Sequence, residues 1–279
     1  MLIKTGYHIT FETDAATPMS LLLSVHPSRQ GDLRSPETIT FDPPIPQRQT
    51  LDAFGNVCTR IVAPSGRLSI SADFLVADSG LPDAVVPEAS QAPVDALPDE
   101  VMVYLMASRY CDTDNLCGIA WQLFGQTPEG WARVQAIVDY VHARIRFDYQ
   151  RADATRTASD GYHQQVGVCR DFAHLAIAFC RCMNIPARYC TGYLGDIGVP
   201  PVPDPMDFSA WFEVYLGGRW YTFDARHNTP RIGRIVMARG RDATDCAIST
   251  SFGTARLVRF EVHTDAVSDG TAVDLMRAA

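Results

Sequence analysis

Gly161-Tyr-His-Gln-Gln-Val-Gly-Val-Cys169-Arg-Asp-Phe-Ala-His-Leu-Ala-Ile-Ala-Phe-Cys-Arg-Cys-Met-Asn184-Ile-Pro-Ala-Arg-Tyr-Cys-Thr-Gly192 decides how the rest of the chain is read. It opens as a polar, glycine-containing loop. It continues as a helix whose apolar face runs through Phe172, Ala173, Ala176, Ile177, Phe179, Cys180 and Met183. Asn184 tolerates the left-handed conformation just past a helix end, and Pro186 forbids continuation. Cys169 falls where loop becomes helix. Free backbone N–H groups and the positive end of the helix dipole favour a thiolate there, so Cys169 is a candidate nucleophile whose pKa is expected to be lowered.

Downstream, Asp207-Phe-Ser-Ala-Trp-Phe-Glu-Val-Tyr215 and Arg219-Trp-Tyr-Thr-Phe-Asp224 alternate as strands on either side of the pair Gly217-Gly218. With those glycines as the two turn residues, Leu216 faces Arg219, Trp211 faces Asp224, and position 209 lies diagonal to Asp224 on the same side of the sheet. A helix-start cysteine with a strand position beside a strand-end carboxylate is the layout of a thiol, a base and its orienter.

Gly167-Val-Cys169-Arg-Asp-Phe-Ala, Asn184-Ile-Pro-Ala-Arg188 with Gly192-Tyr193, Ala210-Trp211-x-Glu213-Val, and Trp220-Tyr-x-Phe-Asp224 resemble, in order, the motifs of the transglutaminase-like superfamily. The likeness is strongest to its bacterial cysteine-peptidase branch with an N-terminal β domain, and it covers roughly the second half of the chain. It implies a papain-like Cys–His–Asp site with Cys169 as nucleophile and Asp224 as orienter, and substrate approach near the loop before Cys169. The family's histidine stands immediately before Ala-Trp, where this chain has Ser209. A serine hydroxyl does not accept a proton near neutral pH and is too short to span from carboxylate to thiol. Three readings follow: an altered but active site, a substitute histidine, or lost catalysis. His163, in the loop before Cys169, and His227, three residues past Asp224, are the candidate substitutes. Strand parity sends His227 to the opposite face unless the chain bends after Asp224. His174, five residues along the helix, is rotated by roughly 140° from Cys169 and ranks below both.

Tyr162, Trp211 and Glu213 are the candidate substrate contacts. Trp211 also reads as a shield for Asp224, and Glu213 as the partner of an arginine in the sheet or helix. Arg226-His-Asn228 and Pro230-Arg-Ile-Gly-Arg234 read either as a pocket wall or as partners for carbonyls and acidic groups.

The chain has 279 residues, 47% apolar and 20% charged, enough for two compact domains. A net charge of −8 argues against nucleic acid or an anionic membrane as main partner. No apolar run reaches bilayer-spanning length, and the first residues lack a signal peptide's apolar core and cleavage site. The expectation is a cytoplasmic protein whose eight cysteines are free thiols. Cys180 and Cys182 diverge on their helix, and no four-ligand spacing involves Cys111 or Cys117, so neither metal nor other cofactor is expected. The glycines of Gly192–Gly198 follow a strand without opening a helix, which excludes a dinucleotide fingerprint.

Alternation over Leu2–Glu12, Met19–Val25, Thr38–Phe41, Val57–Val62 and Leu68–Val76 predicts an antiparallel β-sandwich domain over residues 1–90. Leu81–Leu97 reads as a proline-rich linker. Helices are expected from Pro98 to about Tyr110, from Asp114 to Gly125, and from Thr127-Pro128 along the stripe Trp131, Val134, Ile137, Val138, Val141 and Ile145. A flexible rim of Asp153, Thr155, Thr157, Ser159, Asp160 and Gly161 precedes Cys169. Strands Ala187–Leu194, Phe208–Leu216 and Arg219–Asp224 pack on the Cys169 helix, a loop Gly195–Pro205 lies near the site, and a late strand covers Thr254–His263. The fold class is therefore α+β: the sandwich, then a papain-like, transglutaminase-like core over residues 91–279. Its expected chemistry is attack on a peptide or protein amide to form a Cys169 thioester, with the backbone N–H of Cys169 serving the oxyanion. Transfer to water, as in a peptidase or amidase, is favoured over transfer to an amine by the branch resembled. The alternative is a non-catalytic peptide-binding or scaffolding protein that keeps the cleft without its base.

Overall fold

The computed structural model describes residues 1–202 and 206–267. Six N-terminal strands come first: β1 (Leu2–Thr13), β2 (Thr17–Leu21), β3 (Thr40–Asp42), β4 (Gln47–Leu51), β5 (Val57–Ala63) and β6 (Gly66–Ala77). Then follow α1 (Asp99–Met102), α2 (Cys117–Phe124), α3 (Trp131–Arg144), β7 (Arg146–Phe147), α4 (Ala158–Gln164), β8 (Val166–Gly167) and α5 (Cys169–Cys182). The described residues close with β9 (Ala187–Tyr193), β10 (Ser209–Leu216), β11 (Arg219–Phe223), β12 (Ile235–Gly240), β13 (Ser249–Ser251) and β14 (Ala255–Ala266).

Two antiparallel four-stranded sheets, β14-β1-β6-β3 and β13-β2-β5-β4, form the sandwich. Alternate residues of β1 and β6, among them Ile3, Ile9, Leu68 and Ile70, are buried between them. β4 escaped the sequence reading because every one of its residues is exposed, so Gln47–Leu51 carries no apolar alternation. The expected boundary at residue 90 leaves out two strands that belong to this layer. β13 pairs with β2, and β14 runs alongside β1 from Ile3↔Ala266 to Thr13↔Ala255. Tyr193, Ile235 and Met237 from the second half also pack into the sandwich core.

The third sheet, β11-β10-β9-β12, is antiparallel and carries α5 on one face. Ala210, Phe212, Val214 and Leu216 of β10 meet the Phe172, Ala176, Phe179 and Met183 side of the helix in one apolar cluster. α2, α3 and α4 cover the rest of α5, which explains why twelve of its residues are buried rather than a single stripe. Asn184 closes the helix with φ +61°. The hairpin register is the expected one: Leu216 pairs with Arg219 and Phe212 with Phe223. Gly217 and Gly218 both hold positive φ in the turn, at 54° and 85°.

The helical layer differs from expectation in three places. α1 is a single turn, followed by further turns through Leu105 rather than by helix to Tyr110. α3 starts after Gly130 (φ +79°), not at Thr127; the Thr127 hydroxyl donates back to the Phe124 carbonyl, closing the previous turn. The rim before Cys169 is not loose, because Thr157 and Asp160 form a reciprocal capping box that starts α4.

Candidate active site

Cys169 is the first residue of α5, and the residues around it hold the entry to that helix rigidly. The Asp171 carboxylate reaches back to accept from the Val168 N–H at 2.9 Å and takes Arg156 Nη1 at 3.0 Å, both side chains being buried. Gly167 makes this approach feasible, since a Cβ there would stand 2.5 Å from Asp171 Oδ2. Cys169 opens onto a cavity of about 640 Å³, whose walls include Arg170, Tyr189, Asp207, Phe208 and Ala210. The Ala210 N–H points at its sulfur.

The thiol does not have the lowered pKa expected from its helix position. Burial pushes it up to about 11; the Arg226 guanidinium works against this, while the Asp207 carboxylate adds to it. The helix end is there, but burial outweighs what Arg226 and the Ala210 N–H do to lower the value.

Asp224, just past β11, is buried and has four donors. Burial, the largest single influence, opposes its charge, yet Arg234 and His227 outweigh it and hold the carboxyl well below the usual range. Arg234 Nη2 reaches Oδ2 at 2.9 Å and His227 Nδ1 reaches the same oxygen at 2.8 Å. The backbone N–H groups of Arg226 and His227 donate to Oδ1 at 3.0 and 3.1 Å. The chain turns sharply after Asp224, with the Asn228 N–H returning to the Asp224 carbonyl at 2.8 Å and Asn228 at φ +50°. This turn overrides strand parity and swings His227 back onto the carboxylate.

Ser209, the first residue of β10, lines a cavity of about 100 Å³ together with His227, Arg226, Asp207 and Tyr149. Asp207 lines both this cavity and that of Cys169. Burial raises the pKa of Asp207, partly offset by the Phe208 N–H and Arg226. Arg226 sits 3.8 Å over the Phe147 ring. Among the described residues, no imidazole nitrogen lies within hydrogen-bonding distance of Cys169 Sγ. The site thus brings together Cys169, Asp207, Ser209, Arg226 and His227, but in two adjoining cavities, with Asp224 lining neither and holding His227 from behind.

The other expected residues sit elsewhere. His163 is exposed on α4. Tyr162 packs its ring edge against Phe179 beneath Arg144, lining neither cavity. His174 is fully buried and stacked on Tyr110; its Nε2 accepts from the Ala243 N–H at 3.1 Å, and burial drives its pKa down to about 3. Trp211 and Glu213 point to the sheet face away from α5. There Glu213 accepts from Arg188 at 2.7 Å and Arg239 at 3.1 Å, and Arg234 lies 5.1 Å over the Trp211 ring. Asp207 and Tyr149 were missed altogether. Asp207 had a readable signal, being two residues from Ser209 and so on its side of the strand. Among the described residues, no group of three or more His, Cys, Asp or Glu is arranged to hold a metal ion. None of their helices is long and apolar enough to cross a membrane.

Residues 120–225 match the family model of the transglutaminase-like superfamily. The crystal structure of a "putative cysteine protease" from Cytophaga hutchinsonii superposes with a TM-score of 0.83 at 30% identity, over 96% of this chain and 91% of that one. An uncharacterized protein of Mycobacterium leprae is 26% identical over 207 residues, which is 71% of this chain and 72% of that protein. One from Mycobacterium tuberculosis is 27% identical over 228 residues, covering 74% and 72%. Motif order, the cysteine-bearing helix on its antiparallel sheet and a likeness that spans nearly the whole length agree: this chain belongs to the transglutaminase-like superfamily.

Proposed function

We propose that this protein is a thiol-dependent amide hydrolase, a cysteine peptidase or amidase, in which Cys169 attacks the carbonyl carbon of a peptide or protein amide. The observation that carries this reading is the His227–Asp224 hydrogen bond of 2.8 Å, which supplies an oriented imidazole although Ser209 stands at the usual histidine position. In the first step a C–S bond forms as the thiol proton passes toward His227, and the amine leaves with a proton as the C–N bond breaks. Water then cleaves the thioester, releasing the acid and restoring the thiol. Asp207, on the wall between the two cavities, lies on the route for that proton. Arg226 is the cation beside the sulfur that favours its ionised form. Eight free thiols fit a reducing, cytoplasmic setting.

A second reading has its own support. With the thiol at about 11 and no imidazole against it, the resting site suits a peptide-binding protein that no longer turns over. Amide hydrolysis against a peptide library separates the two. Under the first reading Cys169→Ala abolishes turnover and His227→Ala lowers it by roughly 10²-fold or more, both variants keeping the parent's circular dichroism. Turnover that survives Cys169→Ala removes the nucleophile assignment; an inactive parent that still binds peptides selects the second reading.

A further inference from the structure

The end of α5 remote from Cys169 carries a second thiol arrangement that the proposed chemistry does not use. Cys182, in the last turn of α5, lies with its sulfur 2.9 Å from that of Cys117, the first residue of α2. No other pair of cysteines among the described residues is in such contact. Cys58 meets Ser20, while Cys111 and Cys246 meet the backbone carbonyls of His174 and Tyr189. The two members of the pair are unlike. Cys182 is buried, its S–H directed at the Thr113 carbonyl 3.6 Å away, and burial raises its pKa, with Cys117 adding to the rise. Cys117 is half-buried and followed by exposed Gly118, which has open space beside it.

We propose that Cys117 and Cys182 form an oxidation site, a dithiol that a peroxide or a small-molecule disulfide converts into a covalent staple between α2 and the nucleophile helix. The sulfurs need to close by less than about 1 Å to reach bonding distance. With hydrogen peroxide, the Cys117 thiolate attacks one oxygen, the O–O bond breaks, and a sulfenic acid and water result. Cys182 then displaces that hydroxyl: the S–O bond breaks, the S–S bond forms, and a second water takes the thiol proton. Two thiols lose two electrons, and the peroxide gains them. The accessible sulfur meets the oxidant and the buried one resolves it, the division of labour that exposure dictates. The staple leaves the Cys169 end of α5 free.

The test uses the full chain carrying Cys169→Ala, so that the site thiol does not enter the mass balance. Titration with hydrogen peroxide, and separately with oxidised glutathione, is followed by intact mass and peptide mapping. The expected product is about 2 Da lighter, carries a 117–182 cross-link, and reverts with dithiothreitol. Closing a loop of roughly 65 residues raises its thermal midpoint by about 5–10 °C over the reduced form. Adding Cys117→Ser or Cys182→Ala removes both the mass loss and the shift. The proposal is overturned by a stable glutathione or sulfinic adduct on Cys117 with no cross-link, or by a cross-link between other cysteines. No reaction at a dose that fully modifies half-buried Cys58 overturns it equally.

Discussion

Replacing Ser209 by histidine tests how far the absent imidazole accounts for the thiol's resting state. Ser209 sits between Phe208 and Ala210, both of which wall the Cys169 cavity, and the Ala210 N–H points at the sulfur. The serine itself faces the neighbouring cavity, which shares the Asp207 wall with that of Cys169, so a longer side chain at 209 starts in the space next to the thiol's. With the thiol at about 11, roughly one molecule in 10⁴ is thiolate at pH 7. An imidazolium partner holds a thiolate to a pKa near 7 or below, raising that fraction by roughly 10³–10⁴. Each unit of lowered pKa also weakens the nucleophile by a factor of about 3, so four units return roughly 10². The net expectation is a gain of roughly 10² in alkylation rate at pH 7. The gain shrinks as pH rises and reverses once the parent thiol ionises. Iodoacetamide kinetics from pH 5 to 11 provide the assay, in a Cys58→Ser, Cys117→Ser background, because those two are the half-buried cysteines besides Cys169. Superimposable profiles for parent and variant refute the argument. A parent thiol that already titrates below about pH 8 refutes it also, and shows that a group other than a residue at 209 already stabilises the thiolate.

Three further outcomes follow from the packing. His174 is neutral in the fold at about 3 but titrates near 6.5 when unfolded, so its depressed pKa stabilises the protein above pH 6.5 and that stability drains away as pH falls toward 3. By pH 4.5 the loss amounts to roughly 2–3 kcal/mol, and urea midpoints measured from pH 7 to 4.5 should flatten in His174→Gln, which retains an acceptor for the Ala243 N–H. Gly167→Ala should cost about 2–4 kcal/mol, because its Cβ drives Asp171 off Val168 and Arg156; a thermal midpoint within a degree of the parent counts against that close approach. Asp224→Ala should destabilise by about 3 kcal/mol, since it leaves buried Arg234 with only Asp83 and frees His227. An unaltered chemical denaturation midpoint contradicts the importance of that pairing.

What the sequence disclosed best was what depends on local rules. The α5 face, the Asn184 stop and the Gly217-Gly218 register all follow from periodicity and turn chemistry, and the structure has them. What it concealed depends on tertiary balance. The helix position of Cys169 argues for a thiolate, but burial, which no residue pattern announces, pushes its pKa up. Alternation sends His227 away from Asp224, but one turn after the strand reverses its direction. Fully exposed β4 lacks an apolar signal, and β14, expected nearly in place, gave no hint that its partner is β1.

The pairing of β14 with β1 also has a consequence for how the protein is made. On the ribosome, β1 emerges well before its neighbour β14: at about 5–20 residues per second, roughly 10–50 s separate them. Once β6 has emerged, β1 has it on one side and bare N–H and C=O groups on the other until β14 is made, and β2 likewise awaits β13. Such edges recruit other strands. A chain cut short before Ala255 keeps every residue of the candidate site and still presents this open ribbon, so such truncations should fail through aggregation in the cell rather than through damaged chemistry.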